Sequence, residues 1–339
     1  MVNKFQILSL SGGGARGLYT AQVLAELENR FNSNISKHAD IICGTSIGGV
    51  LALGLAANIP AQTLLEKFDE YRERIFPPIP NYKKKTIAGI SLKDIKQVWK
   101  PQYKSAPLRE AVEDIFEDRV IGDLKSCVVV PAINYTIGKM RAFKTPHNTM
   151  FYQDQSKPLV DVALATSAAP TYFPIHSIEG NRFVDGGLAA NNPVLMGVVE
   201  AYRAFQVPLS NISGLCVGNM GQGLAANHEK STNIGYRGWG FGQDIINLAM
   251  SIGEQLSFDM ARMLLDERLE LIDSDATKEQ AQLLTLDNGS QQAAEILKAH
   301  AKNKAGTKVN DQNIQDFFKH QATAKPNTIE QTEKIPGES

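Results

Sequence analysis

A serine, an aspartate and a row of glycines hold the chemical content of this chain. Ser46 lies in Gly44-Thr45-Ser46-Ile47-Gly48, after the apolar run Ile41-Ile42-Cys43 and before the apolar segment Val50 to Ala57. A strand, a sharp turn and a helix in that order make G-x-S-x-G a nucleophile elbow. The serine hydroxyl then stands clear of the sheet, beside the positive end of a helix. Gly44 and Gly48 let the strand and helix approach without a Cβ clash. A serine so placed can attack an ester carbonyl, provided that a base and donors for the oxyanion are at hand. Gly12-Gly13-Gly14 follows the short apolar strand Phe5 to Leu10 and precedes a helix beginning near Ala15. Its bare N–H groups can form the oxyanion hole. Arg16 in the same loop can hold its shape or meet a phosphate.

The base is read as Asp185. A short strand, Arg182 to Val184, aims it, and Gly186-Gly187 makes room around it. A triad in hydrolase order would need a histidine after the acid. His228, His300 and His320 are the candidates, and none stands in a motif-like context. A Ser46–Asp185 dyad is therefore the better reading. It requires the carboxylate to be within hydrogen-bond reach and partly desolvated. Each motif also has an ordinary explanation, as a strand–helix turn or an Asp-Gly turn. Their combination is what points to ester hydrolysis.

Strand-like and helix-like segments alternate along the chain. This predicts an α/β fold with a mostly parallel sheet covered on both faces. In such a sheet the three loops would meet at the carboxyl edge, each following its own strand. Pro60 restarts the chain as a helix with Leu64, Phe68, Tyr71 and Ile75 on one face. Ser105 reads as a helix N-cap with Pro107 in the first turn. Ser126 to Tyr135 reads as a central strand that forms a hairpin with Lys139 to Lys144. Leu159 to Thr166 is a small-residue helix, and Asn191-Asn192-Pro193 opens another through Phe205. Ile212 to Val217 and Arg268 to Ile272 are further strands. A long helix, Gln243 to Glu267, is expected to place Met250, Met260 and Met263 in the core. A terminal helix spans Gln291 to Lys304. The domain is read as residues 1–305, with 306–339 a polar, partly disordered tail.

The 339 residues can bury a full core, and 43% hydrophobic with 21% charged residues is the balance of a globular protein. A net charge of −1 gives no global field toward nucleic acid, and no DNA partner is expected. Cys43, Cys127 and Cys216 are scattered through apolar runs, which argues for buried thiols in a reducing compartment and against a disulfide framework or zinc site. The run after Met1 to Phe5 is short and breaks at the glycines, so no signal peptide is expected. Ile41 to Leu65 has no charged residue and is long enough to span a bilayer. Its glycines, Asn58 and Pro60 make it read as strand, elbow, helix and stop. A basic segment carries Lys83, Lys84, Lys85, Lys93, Lys96, Lys100 and Lys104, with Trp99 and Tyr103 among them. It is a solvated loop and surface helix, or a patch for phosphate head groups. The Gly-rich stretch 219–242 reads as a lid or a lipid-contacting rim.

The joint pattern resembles the patatin-like phospholipase family. That family carries a Gly-rich oxyanion loop, a G-x-S-x-G elbow and a D-G-G or D-G-A acid. Here they stand in family order as Gly12-Gly13-Gly14-Ala15-Arg16-Gly17, Gly44-Thr45-Ser46-Ile47-Gly48 and Asp185-Gly186-Gly187. Ser167-Ala168-Ala169-Pro170-Thr171-Tyr172-Phe173-Pro174 also looks like the family's stretch before the acid. The resemblance covers roughly Phe5 to Phe205. It departs at Ser11, where many members have Asp, and this bears on how the glycine loop is braced. It implies a three-layer α/β/α fold, a Ser–Asp dyad and hydrolysis of lipid acyl esters without metal or cofactor. A narrower resemblance is to the bacterial patatin-like effectors of anti-phage cyclic-oligonucleotide signalling (CBASS), carried by the Leu8-Ser9-Leu10-Ser11-Gly12-Gly13-Gly14 start and Asp185-Gly186-Gly187-Leu188-Ala189-Ala190-Asn191-Asn192-Pro193. It implies activation by a cyclic dinucleotide such as cGAMP, membrane phospholipid as substrate, and a cytoplasmic protein acting at the inner face of the membrane. It leaves open a homo-oligomer.

The chief rival reading is a dinucleotide-binding, Rossmann-like protein using Gly12, Gly14 and Gly17. That fingerprint needs an acid at the end of the second strand. Here the nearest acid, Asp40, precedes the strand, which ends in Gly44-Thr45-Ser46. A third reading is a catalytically silent interaction protein.

Overall fold

The computed structural model describes residues 4–77, 100–148, 151–221 and 243–326. Strand β1 (Phe5–Leu10) leads through a 3-10 turn at Gly14–Arg16 into helix α1 (Gly17–Phe31). Strand β2 (Ile41–Gly44) passes through Thr45 and Ser46 into α2 (Ile47–Ala56), and α3 (Ala61–Ile75) follows Pro60. Next come α4 (Ala106–Phe116), the hairpin β3 (Cys127–Asn134) and β4 (Lys139–Lys144), α5 (Leu159–Thr166), β5 (His176–Ile178) and β6 (Asn181–Asp185). The chain continues through α6 (Gly187–Ala190), α7 (Val194–Arg203), β7 (Ile212–Val217), α8 (Gln243–Leu265) and β8 (Leu269–Ile272). Helices α9 (Lys278–Leu283), α10 (Gln291–Lys308) and α11 (Gln312–Lys319) follow.

The strands form one sheet in the order β5-β6-β3-β2-β1-β7-β8, with β4 also on β3. The pairs from β3 to β8 along this path are parallel, whereas β4, β5 and β6 pair antiparallel. Alternation along each strand sorts side chains between two cores. Leu8, Leu10, Ile42, Val128 and Val130 face one side, against α1, α2, α3 and α10. Ile7, Ile41, Cys43, Cys127 and Val129 face the other, against Val194 and Val198 of α7 and Ala261 and Leu265 of α8. The fold is thus three layers, helix on sheet on helix. Full burial of such aliphatic side chains contributes roughly 1.5–3 kcal/mol each.

One departure from the parallel expectation matters for the site. β4 occupies one edge of β3 from Val129 to Asn134. The other edge is shared: β2 takes Cys127 to Val129, and β6 takes Ala132 to Asn134 in the antiparallel sense. β2 and β6 therefore run toward each other along a single edge, and their carboxyl ends meet beside Pro131. Asp185, opposite Ala132, reaches the elbow because β3 is longer than β2. A proline in a central strand forfeits a ladder donor, and at this junction neither strand pairs with it.

Other expectations are adjusted by packing. Helix α8 turns Met250, Phe258, Ala261 and Leu265 inward, at helical spacing, while Ile252, Leu256, Met260 and Met263 lie on its outer face. Met250 is buried, but Met260 and Met263 are exposed, the latter to 80%. Ser105 precedes α4 without a side-chain cap hydrogen bond. Tyr103 is buried in an aromatic cluster with Phe76 and Phe173 rather than offered to an interface. Residue 305 falls inside α10, and α11 buries Phe317 and Phe318 against the core. Ile41 to Leu65 forms β2, α2 and the start of α3, and among the described residues no helix is long and apolar enough to cross a membrane. The three cysteines are free and buried. Lysines 83 to 96, Trp99, His228 and the aromatics of the 219–242 stretch lie outside the described residues.

Asp40, the acid of the rival reading, holds the chain's later segment in place. Its carboxylate accepts from Gln6 N at 2.8 Å, His320 Nε2 at 2.6 Å, Thr323 N at 2.7 Å and Ala324 N at 3.0 Å. Burial alone would raise its pKa, but these donors outweigh it and hold the carboxyl below its ordinary value. A group with a depressed folded pKa contributes stability that is present above its unfolded value, near 4, and is lost as pH falls further. Asp40→Ala leaves these donors unpaired and should cost about 3 kcal/mol at pH 7. Urea denaturation measures this, and a change below about 0.5 kcal/mol would contradict the anchoring role.

Candidate active site

The elbow bends where the sequence places it. Ser46 adopts φ 54° and ψ −126°. Such a backbone costs a non-glycine residue on the order of 1–3 kcal/mol and persists only when its surroundings hold it. Thr45 N donates to Leu10 O at 3.2 Å, and Thr45 Oγ1 donates to Ala190 O at 2.6 Å. Ser46 N donates to Thr166 Oγ1 at 3.0 Å, and Thr166 Oγ1 donates to Pro131 O at 2.7 Å. A Cβ at Gly44 would overlap Gly48 O, and one at Gly48 would overlap Leu10 O.

Asp185 arrives from β6 with 1% of its surface exposed. Its N–H donates to Ala168 O at 3.0 Å, and Gly186 N donates to Thr166 O at 3.2 Å. Gly186 must lack a Cβ, which would overlap Pro131 O. Oδ1 accepts from Gly187 N at 2.7 Å, whereas Oδ2 is buried without a hydrogen-bond partner. Burial pushes the carboxyl up to about 6, against the smaller opposing pull of the Gly187 amide and the Ser46 hydroxyl. Ser46 and Asp185 line one cavity together with Gly13 and Gly14. Apart from Ser167 the rest of its wall is mostly apolar, including Phe68, Phe76, Leu108, Tyr172, Phe173 and Met250. Among the described residues no histidine lines it.

The glycine loop differs in detail from expectation. Gly12 N donates to Asn191 O at 2.9 Å and so is spent inside the protein. The amides of Gly13 and Gly14 have no acceptor among the described residues, and both residues line the cavity. Two donors, rather than three, are thus open to an oxyanion. Ala15 N donates to Leu286 O at 2.7 Å and fixes the far side of the loop. Arg16 lies outside this cavity, in an adjoining one of mixed lining that also holds Glu254 and Asp273. There burial pulls the guanidinium below its ordinary value, opposed by those two carboxylates.

Sequence reasoning passed over Thr166, Asn191, Asn219 and Glu254. Thr166 ties the elbow, β3 and the acid loop together through one hydroxyl and one carbonyl. Asn191 Nδ2 donates to Gly12 O at 3.2 Å, and Asn219 Nδ2 donates to the same oxygen. The doubled Asn191-Asn192 after the acid motif was a usable signal. Nothing local marks Thr166 or Asn219.

Residues 8–198 match the patatin-like phospholipase family. A "cGAMP-activated phospholipase" of Pseudomonas aeruginosa is 40% identical over 94% of this chain and 93% of its own length. Proteins of the same description from Escherichia coli and Vibrio cholerae are each 34% identical, over 93% and 94% of this chain and 93% and 95% of their own lengths. The chain belongs to the patatin-like phospholipase family. As a family member it is an acyl-ester hydrolase of lipids.

Two measurements probe this geometry. Thr166→Val keeps the side-chain shape but leaves Ser46 N and Pro131 O unpaired. It should lower turnover about 100-fold, as for a misplacement of roughly 1 Å. Turnover within about threefold of the parent would mean that Thr166 does not set the elbow. For Asp185, a folded pKa of about 6 against an ordinary 3.8 corresponds to about 3 kcal/mol of destabilisation once the group is ionised in the fold. Asp185→Asn should therefore raise stability by up to this amount above pH 6, with no gain below pH 4. A gain that does not depend on pH would contradict the desolvated carboxylate.

Proposed function

We propose that this chain is a serine phospholipase whose Ser46–Asp185 dyad cleaves acyl esters of membrane phospholipids and whose activity is switched on by a cyclic dinucleotide such as cGAMP. The observation that carries the chemical part is the shared cavity. A strained serine, a buried carboxylate with one unpaired oxygen and two unpaired amides line it, and apart from Ser167 the remainder of its wall is mostly apolar. An acyl chain fits such a wall, and the ester carbonyl then falls beside polar groups only at one end.

The steps follow from these groups. Asp185 accepts the Ser46 hydroxyl proton as Oγ attacks the ester carbon. The amides of Gly13 and Gly14 receive the oxyanion, and losing one such donor typically costs on the order of 3 kcal/mol. Collapse releases the lysophospholipid alcohol, which takes the proton from Asp185. Asp185 then takes a proton from water as its oxygen attacks the acyl-serine, and collapse frees the fatty acid while Ser46 Oγ takes that proton back from Asp185. No step calls for a metal or cofactor.

The regulatory part rests on the three relatives described as cGAMP-activated, which align along nearly the whole chain. In this reading the protein degrades the membrane of its own cell in anti-phage defence, acting from the cytoplasmic side. The phospholipase domain is proposed to extend past residue 305 through α10 and α11, which pack against the same core. The purified chain should release fatty acid from phospholipid vesicles, faster when cyclic dinucleotides are added, and Ser46→Ala and Asp185→Ala should each abolish release while remaining folded. Retained turnover in either variant removes the dyad. Equal rates across a panel of cyclic dinucleotides remove the activation.

A further inference from the structure

Helix α8 carries a glutamate on its inward stripe. Met250, Phe258, Ala261 and Leu265 pack inward at helical spacing, and Glu254 shares their side of the helix, facing the glycine loop. Glu254 Oε2 accepts from Asn191 Nδ2 at 2.7 Å. The same amide group donates its second proton to Gly12 O at 3.2 Å. Asn191 also accepts from Gly12 N through its backbone carbonyl at 2.9 Å. One asparagine thus grips both polar groups of Gly12. A Cβ on Gly12 would meet Asn191 Oδ1 at 2.5 Å, so this residue's side chain sits directly on the loop.

An Asn side chain can be oriented either way unless its neighbours decide. Two acceptors, Glu254 and Gly12 O, call for the NH2 end on this side. Without Glu254 only one acceptor fixes that choice. The glutamate is costly to keep: burial raises its carboxyl, and Ser11, Asn191 and Arg16 offset this only in part. Its hydrogen bond toward the loop is the one to Asn191, and Arg16, just past the glycines, attracts it only through space.

We infer that Glu254 is a positioning residue for the oxyanion hole, acting through Asn191 to hold Gly12 and so to aim the Gly13 and Gly14 amides at the cavity. This rests on reading those two amides as the oxyanion donors. It makes helix α8, rather than the glycine loop alone, a determinant of catalytic competence. A change in the seating of α8 would be transmitted to the loop by a path of two hydrogen bonds.

The test compares Glu254→Ala with Glu254→Gln in the full chain. Gln keeps an acceptor toward Asn191 without the charge. Hydrogen exchange of the peptide covering residues 11–17 should quicken about tenfold in Glu254→Ala and stay close to the parent in Glu254→Gln. Turnover of a soluble fatty-acyl ester should fall about 100-fold in Glu254→Ala with KM within about twofold, and recover in Glu254→Gln to within about threefold. Should Glu254→Ala fail to fold, Glu254→Met fills the space without an acceptor and takes its place. Unchanged exchange in the variant lacking an acceptor overturns the inference. So does Glu254→Gln failing as badly as Glu254→Ala. A parent chain with no ester turnover would count against the hydrolase reading alone, since the exchange comparison still decides the relay.

Discussion

The site depends on holding Ser46 in a backbone conformation that a serine resists. At φ 54° and ψ −126° the residue projects its hydroxyl away from the strand it ends, and the chain must bear the strain. Holding this bend is a distributed task. Gly44 and Gly48 remove the atoms that would push strand and helix apart. Thr45 is tied to β1 and to the acid loop, and Ser46 N is tied to Thr166. No single contact suffices, because a hydrogen bond contributes a net of roughly 0.5–1.5 kcal/mol against roughly 1–3 kcal/mol of strain.

The second requirement is a carboxylate in a dry place. Two strands approaching along one edge of β3 provide it. Their ends enclose Asp185 between Pro131, Ala168 and the elbow, leaving 1% of its surface exposed. The protein gives up stability at neutral pH to keep this carboxyl, the proposed base, at a pKa near 6. A general base works best when its pKa approaches the working pH, so the loss has a chemical return. The unpaired Oδ2 is the clearest trace of this arrangement, since buried polar atoms are rarely left without a partner.

The cavity wall and the bracing of the glycine loop come largely from different segments. The apolar wall is supplied by α3, α4, the 167–174 loop and Met250 of α8. The glycine loop is steadied from the far side by Asn191, Asn219 and Leu286. The rival assignment of that loop to a dinucleotide loses its acid, because Asp40 is occupied with Gln6, His320, Thr323 and Ala324.

Much of this was legible from residue order. The strand–elbow–helix pattern, the glycine run and the Asp185 motif each depend on neighbours within a few positions, and local sterics suffice to read them. The alternation of apolar segments likewise announced the layered α/β fold and its mostly parallel sheet. Tertiary structure decided the rest. β6 runs against the sheet because only the overhang of β3 was open to it, which no local pattern records. Gly12 lost its amide to Asn191, a residue 179 positions away. Met260 and Met263 face outward because the inner side of α8 had room for one stripe only. Thr166, Asn219 and Glu254 gained their roles by where the chain brought them, since a hydrogen bond needs proximity in space and carries no mark in sequence.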